Sequence, residues 1–150
     1  MELTPVEEGE RLFRRALEAL AAGQTQTALA QLERALKLTD NPSWHSHLGY
    51  CIAKERGQVK KGADLCLAAL KLEPENQLHY LNLAKVHLIA GHKPQALEAL
   101  RAGMAMGGSE ETLALLVKLG NRKPPVLSFL HRNNGLNIFL GRTLARLGLR

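Results

Sequence analysis

The chain has 150 residues, 45% of them apolar and 23% charged, which is enough to bury one real core and points to a single soluble globular domain. Only 4% are aromatic while Leu and Ala dominate, so helix is favoured over strand and an all-β fold is disfavoured. The net charge of +6 is carried by the C-terminal end. Residues 1–116 hold 13 Lys and Arg against 14 Asp and Glu, whereas residues 117–150 hold seven basic residues and no acid. No stretch reaches the eighteen or so consecutive apolar residues of a membrane span. The acidic start, MELTPVEEGE, lacks the basic flank and apolar run of a signal peptide, so a cytoplasmic protein is expected.

In chain order, Thr4-Pro5-Val6-Glu7 has the pattern of a capping box, with proline at the first helical position. From there the chain repeats itself at a period of 34. Gly23 falls on Gly57 and Gly91, Ala28 on Gly62 and Ala96, and Leu32 on Cys66 and Leu100. The same shift brings Ala35 onto Ala69 and Gly103, Leu36 onto Leu70 and Met104, and Leu38 onto Leu72 and Met106. Ala28, Leu32, Ala35 and Leu36 are spaced as one stripe of an amphipathic helix, and the small residues let helices approach closely. The glycines lie between two helical stretches, where a turn needs positive φ. Each unit thus reads as two antiparallel helices joined by a short turn.

Punctuation separates the units. Asp40-Asn41-Pro42 closes the first and Glu73-Pro74-Glu75-Asn76 the second, where proline halts one helix and Asp or Asn caps the next. Gly107-Gly108-Ser109 closes the third, with Ser109 as N-cap and Glu110 and Glu111 in the following turn.

A 34-residue helix-turn-helix unit with small residues at Ala28, Ala35, Gly62, Ala69, Ala96 and Gly103, and with Pro74 closing ALKLEPEN, resembles the tetratricopeptide repeat (TPR). The resemblance implies an all-α, right-handed superhelical solenoid of antiparallel helix pairs with a C-terminal helical cap. The repeats are expected at about 9–42, 43–76 and 77–110, an extra helix at 109–120 and the cap at 124–150, all in one domain. The second copy departs from the pattern. Leu48-Gly49 matches Leu83-Ala84 at a shift of 35 and Ala16 matches Gly49 at 33, so one residue is extra between Gly49 and Gly57. A π-bulge or a longer helix end is expected there. Where the family pattern places Trp, this chain has His45, one residue after Trp44, with Leu12 and Tyr80 in the other copies.

The resemblance further implies a concave groove, lined by the first helix of each pair, that binds an extended or helical segment of a partner protein. The residues expected to face it are Phe13, Leu17, Ser46, Tyr50, Leu81, Lys85 and Leu88, with Asn82 beside them. This lining is more apolar than charged. Family members that clamp an acidic C-terminal peptide use Lys, Arg and Asn at places held here by Phe13, Leu17, His47, Leu78 and Asn82, and only Asn82 matches in type, with Lys85 close by. A hydrophobic ligand, or the chain's own tail, fits better.

Other chemistry is sparse. Cys51 and Cys66 flank the Gly57 turn, so a disulfide is conceivable, but a cytosolic chain keeps its thiols reduced and small buried Cys is common in helical cores. His47 and Cys51 are four apart on one helical face, yet two ligands fall short of a zinc site. His87 stands where the repeat takes a Tyr-like residue, which favours a partly buried structural histidine. No nucleophile elbow, phosphate loop or carboxylate pair is present, so no catalytic residue, metal or cofactor is expected.

ETLALLVKLG reads as one more first-type helix, stopped by Gly120 to Pro125. Its apolar flank needs a cover, because terminal repeats require a cap for solubility. From Leu136 to Leu147 the apolar spacing is helical, with Arg142, Arg146 and Arg150 four apart on another face and Arg132 upstream. This basic amphipathic helix could cap the last repeat, fill the groove or meet another protein.

Taken together, these features describe a non-catalytic adaptor or scaffold of bacterial type that holds a protein or peptide in its groove. A small secretion chaperone of the type III class and a binder of membrane or nucleic acid through the basic tail are the alternatives. Nucleic acid is not expected as the main partner, since three tail arginines without an aromatic platform make a weak footprint. A homodimer through exposed helical faces is left open.

Overall fold

A computed structural model describes residues 1–120, 142 and 145–148. The chain divides into two compact units, Met1–Leu119 and Gly120–Arg150. The first is an all-α repeat solenoid built from α1 (Pro5–Ala21), α2 (Thr25–Leu38), α3 (His45–Arg56), α4 (Val59–Leu72), α5 (Gln77–Ile89), α6 (Lys93–Ala105) and α7 (Glu110–Gly120). A 3-10 turn at Pro42–Trp44 leads into α3. Helices pair as α1 with α2, α3 with α4 and α5 with α6, and neighbouring pairs stack through α2 on α3 and through α3 and α4 on α5.

The helix ends are set by local chemistry. The Thr4 hydroxyl accepts from the Glu7 N–H while the Glu7 carboxylate accepts from the Thr4 N–H, a reciprocal capping box with Pro5 at the first position. Such a cap is worth about 1 kcal/mol. Asn41 caps the 3-10 turn, Asn76 caps α5, and the Ser109 hydroxyl accepts from the Thr112 N–H at the start of α7. Gly23, Gly57 and Gly91 have φ of 75°, 67° and 76°, left-handed values that reverse the chain between paired helices at no steric cost.

Three of the repeated columns form the core of the second helices. Ala28, Gly62 and Ala96 are buried, as are Leu32, Cys66 and Leu100, and Ala35, Ala69 and Gly103. Each enclosed Leu contributes roughly 1.5–3 kcal/mol. The column of Leu36, Leu70 and Met104 is half-buried at the edge of this core. Leu38, Leu72 and Met106 repeat as regularly but are 43%, 66% and 44% exposed, so their recurrence does not reflect burial.

The extra residue of the second unit lengthens a helix end. α3 runs to Arg56, directly before Gly57, whereas α1 and α5 stop at Ala21 and Ile89, two residues before their glycines. No π-helix occurs among the described residues. Gly49 therefore keeps its place against Gly62, where a Cβ on either glycine would lie 2.5 Å from the carbonyl oxygen of the other. At the opposite end of α3, the 3-10 turn buries Trp44 in place of His45. The Trp44 ring packs with Leu12 and Ala35, while His45 is half-exposed and paired with Asp40 at 2.7 Å.

Leu115, Leu116 and Leu119 of α7 lie against the core shared by α3 to α6, and Thr112 is buried close to Gly103. Leu113 and Val117 on its other side are 48% and 59% exposed. The cap expected at 124–150 falls almost wholly outside the described residues, as do Arg132 and Arg150; Arg142 and Arg146 are helical.

Candidate functional site

The first helices of the three pairs and α7 border two adjoining hollows. One, of about 350 Å³, is lined by Leu17, Leu20, His47, Tyr50, Leu78, Leu81, Asn82, Lys85 and Glu111 among others. The second, of about 330 Å³, shares Leu20, Tyr50, Lys85 and Glu111 and continues along Lys54, Leu88, Ile89 and Leu115. Leu17, Tyr50, Leu81, Asn82, Lys85 and Leu88 are thus brought to one concavity from α1, α3 and α5. The packing of α3 on α5 places residues about one period apart beside each other.

Two expected groove residues stand elsewhere. Phe13 is spent on packing, its ring stacked on Trp44 at 4.8 Å and edge-on to His47 at 5.5 Å. Ser46 does not face the groove: it is fully buried, because its hydroxyl is drawn into a polar cluster between α3 and α5. The neighbouring His47 takes the groove-side place instead.

Lys85 is the electrostatic centre of the concavity. Its ammonium pairs with the Glu111 carboxylate at 2.7 Å and lies over the Tyr50 ring, 5.1 Å from the centroid. The pair is partly exposed and so worth less than about 1 kcal/mol, with the cation–π contact adding a similar amount. Burial raises the Tyr50 phenol above its ordinary pKa, with Cys51 and Glu111 adding to the shift. With Lys85 already engaged, the remaining surface mixes apolar side chains with the polar His47, Asn82 and Lys54. Leu17, Leu78 and Ile89 are 37%, 43% and 39% exposed, ample apolar area for a ligand to cover.

Beneath the groove floor runs a hydrogen-bonded chain. The Asn82 amide nitrogen reaches Ser46 Oγ at 3.0 Å and His47 Nδ1 at 3.2 Å. Ser46 Oγ lies 2.7 Å from His79 Nδ1, His79 Nε2 lies 2.7 Å from a Glu73 oxygen, and the Ser43 hydroxyl donates to the other Glu73 oxygen at 2.9 Å. The His79 and Ser43 contacts hold the Glu73 carboxyl below its ordinary pKa. Burial, the largest cause, pushes His47 down to about 4, so its ring is neutral at pH 7. Serine, histidine and glutamate in sequence are the order of an acyl-transfer triad, but Ser46 and His79 are both 0% exposed, and no substrate carbonyl can reach Ser46 Oγ. The cluster is internal wiring.

Cys51 and Cys66 are free, buried thiols, each pushed up to about 12 by desolvation and hence unreactive. His87 is half-buried with its ring 6.1 Å from that of His92, and burial lowers its pKa. Among the described residues, no three His, Cys, Asp or Glu side chains are grouped to hold a metal ion, and no helix is long and apolar enough to cross a membrane.

No protein-family model matches this sequence, and no curated protein matches it. Solved structures do. The TPR domain of Sgt2 from Aspergillus fumigatus superposes with a TM-score of 0.63 at 20% identity, over 88% of this chain and 94% of that one. The TPR domain of OM64 from Arabidopsis gives 0.60 at 15% identity, over 79% of this chain and 99% of that one. At these identities the likeness is one of fold, and the fold is that of the tetratricopeptide-repeat domain.

Proposed function

We propose that the protein is a non-catalytic adaptor that holds a segment of a partner polypeptide in the concavity between α1, α3, α5 and α7. The observation that carries this reading is the lining itself: exposed Leu17, Leu78 and Ile89 around a half-buried Tyr50, with Lys85, one of the two lysines there, already neutralised by Glu111. Such a surface favours a segment with apolar side chains, which Leu17, Leu78 and Ile89 would cover, while a ligand carboxylate at Lys85 would compete with Glu111. Tyr50, amphipathic and stiff, has the character of a binding hot spot. The reading places the protein in the cytoplasm, where both buried thiols stay reduced.

A photo-crosslinking amino acid at Leu17, compared with one at Glu33, which lines a separate hollow with Gln26 and Arg56, tests the site. Polypeptide adducts are expected from position 17 and not from position 33. Equal adduct yields at the two positions, or adducts from 33 alone, would remove the groove from the account.

A further inference from the structure

The buried chain under the groove has a direction, and its origin is a charge. An ionised carboxylate only accepts hydrogen bonds, so the Glu73 oxygen 2.7 Å from His79 Nε2 requires a proton on that nitrogen. In the singly protonated ring Nδ1 must then accept, and its one polar neighbour at 2.7 Å is Ser46 Oγ, whose hydroxyl therefore donates to it. Ser46 Oγ, its proton committed, accepts from the Asn82 nitrogen. The second Asn82 N–H is directed at His47 Nδ1, which leaves the proton of that neutral ring on Nε2.

Asn82 and His47 both line the hollow. With its amide nitrogen engaged twice inward, Asn82 has its carbonyl oxygen left over, and no described residue bonds it or His47 Nε2. We infer that Glu73 is a positioning residue for the groove: acting through His79 and Ser46, it fixes the Asn82 amide and the His47 tautomer so that the floor presents one acceptor and one donor side by side. An acceptor beside a donor is complementary to an amide, whether a backbone peptide unit or an Asn or Gln side chain of the occupant. This last step rests on the groove reading above; the wiring does not.

The opposite wiring is a defined alternative. If His79 carried protons on both nitrogens, Nδ1 would donate to Ser46 Oγ, Ser46 could donate to the Asn82 oxygen, and the amide would turn over to show its NH₂ to the groove. Nitrogen-15 NMR of the histidine rings in the full chain at pH 7 separates the two. Pyrrole-type signals are expected for Nε2 and pyridine-type signals for Nδ1 in both His79 and His47. Glu73→Gln should move both rings toward mixed tautomers and shift the Asn82 side-chain amide signals. Ser43→Ala, which keeps the carboxylate, should leave them in place. A protonated Nδ1 on His79 in the unmodified protein, or unchanged ring and Asn82 signals in Glu73→Gln, would overturn the inference. Because these signals are read without any partner, failure here is distinguishable from failure of the groove as a binding site.

Discussion

Gly49→Ala is expected to lower stability by about 2 kcal/mol. In a helix interior, alanine in place of glycine normally gains about 1 kcal/mol. Here the new methyl would lie 2.5 Å from the Gly62 carbonyl oxygen, 3.2 Å from Leu65 Cβ and 3.3 Å from Cys66 Sγ. The nearest of these atoms is backbone of α4, so relief requires α3 and α4 to part, and overpacking of this kind costs about 3 kcal/mol. The clash wins. Gly62→Ala should behave alike, since its methyl meets the Gly49 oxygen at 2.5 Å and Ala53 Cβ at 3.1 Å. Gly9→Ala is the matched control: its closest neighbour is the Thr39 hydroxyl at 3.3 Å, a side-chain group able to yield, so the propensity gain should survive. Thermal denaturation should show the first two variants lowered by about 4–8 °C and the third unchanged or raised. A Gly49→Ala protein as stable as the parent would mean that the helices are not held this close.

Acidification should weaken the fold before its carboxylates titrate. His47 is displaced from an ordinary value of 6.5 to about 4 by burial, so between those pH values the unfolded chain binds a proton that the folded chain refuses. Stability is therefore complete above pH 6.5, falls as pH drops toward 4, and levels off below it as far as this group is concerned, a loss of up to about 3 kcal/mol. Glu73 acts lower down. Its carboxyl is held below the ordinary 4.5, so its contribution is present above that pH and is lost as pH falls through the depressed value. Urea denaturation at pH 7.0, 5.5 and 4.5 separates the two. His47→Gln should flatten the decline between pH 6.5 and 4.5 by close to one proton, and an identical decline in variant and parent would show that His47 is not the group responsible.

The 34-residue period exposed most of the architecture because it records packing that recurs. Ala28, Gly62 and Ala96 fill equivalent sites between paired helices, and the turn glycines need the same positive φ each time. Regularity misleads where it has another source, as in the exposed Leu38, Leu72 and Met106. The groove was legible as a helix face, so that Leu17, Tyr50, Lys85 and Leu88 meet there; Phe13 was not, because helical spacing cannot reveal that Trp44 would arrive through a 3-10 turn to stack on it. The Ser46, His79 and Glu73 chain escaped for a different reason. Its members come from α3, α5 and the segment between α4 and α5, and none repeats in the other units. A signal did exist: Ser46 and His79 are 33 residues apart, and His47 and Asn82 35. Polar residues close to one period apart on successive first helices are neighbours in space, and pairing them off would have brought the cluster into view. It would also have withdrawn Ser46 from the groove.

Lys85 ties the groove to α7 through Glu111, and the Tyr50 ring lies under the ammonium. The two side chains are half-buried, so trimming them removes surface from the concavity while the enclosed core of Leu32, Leu100 and Val86 is left intact. The most direct measurement is the affinity of a crosslinked and identified partner polypeptide for the parent chain, for Tyr50→Ala/Lys85→Ala, and for Glu33→Ala/Arg56→Ala, which removes an ion pair outside the groove. Binding weakened at least about tenfold by the first pair of substitutions and unchanged by the second is the predicted result. Binding unaffected by loss of Tyr50 and Lys85, in a variant that remains folded, would contradict the account.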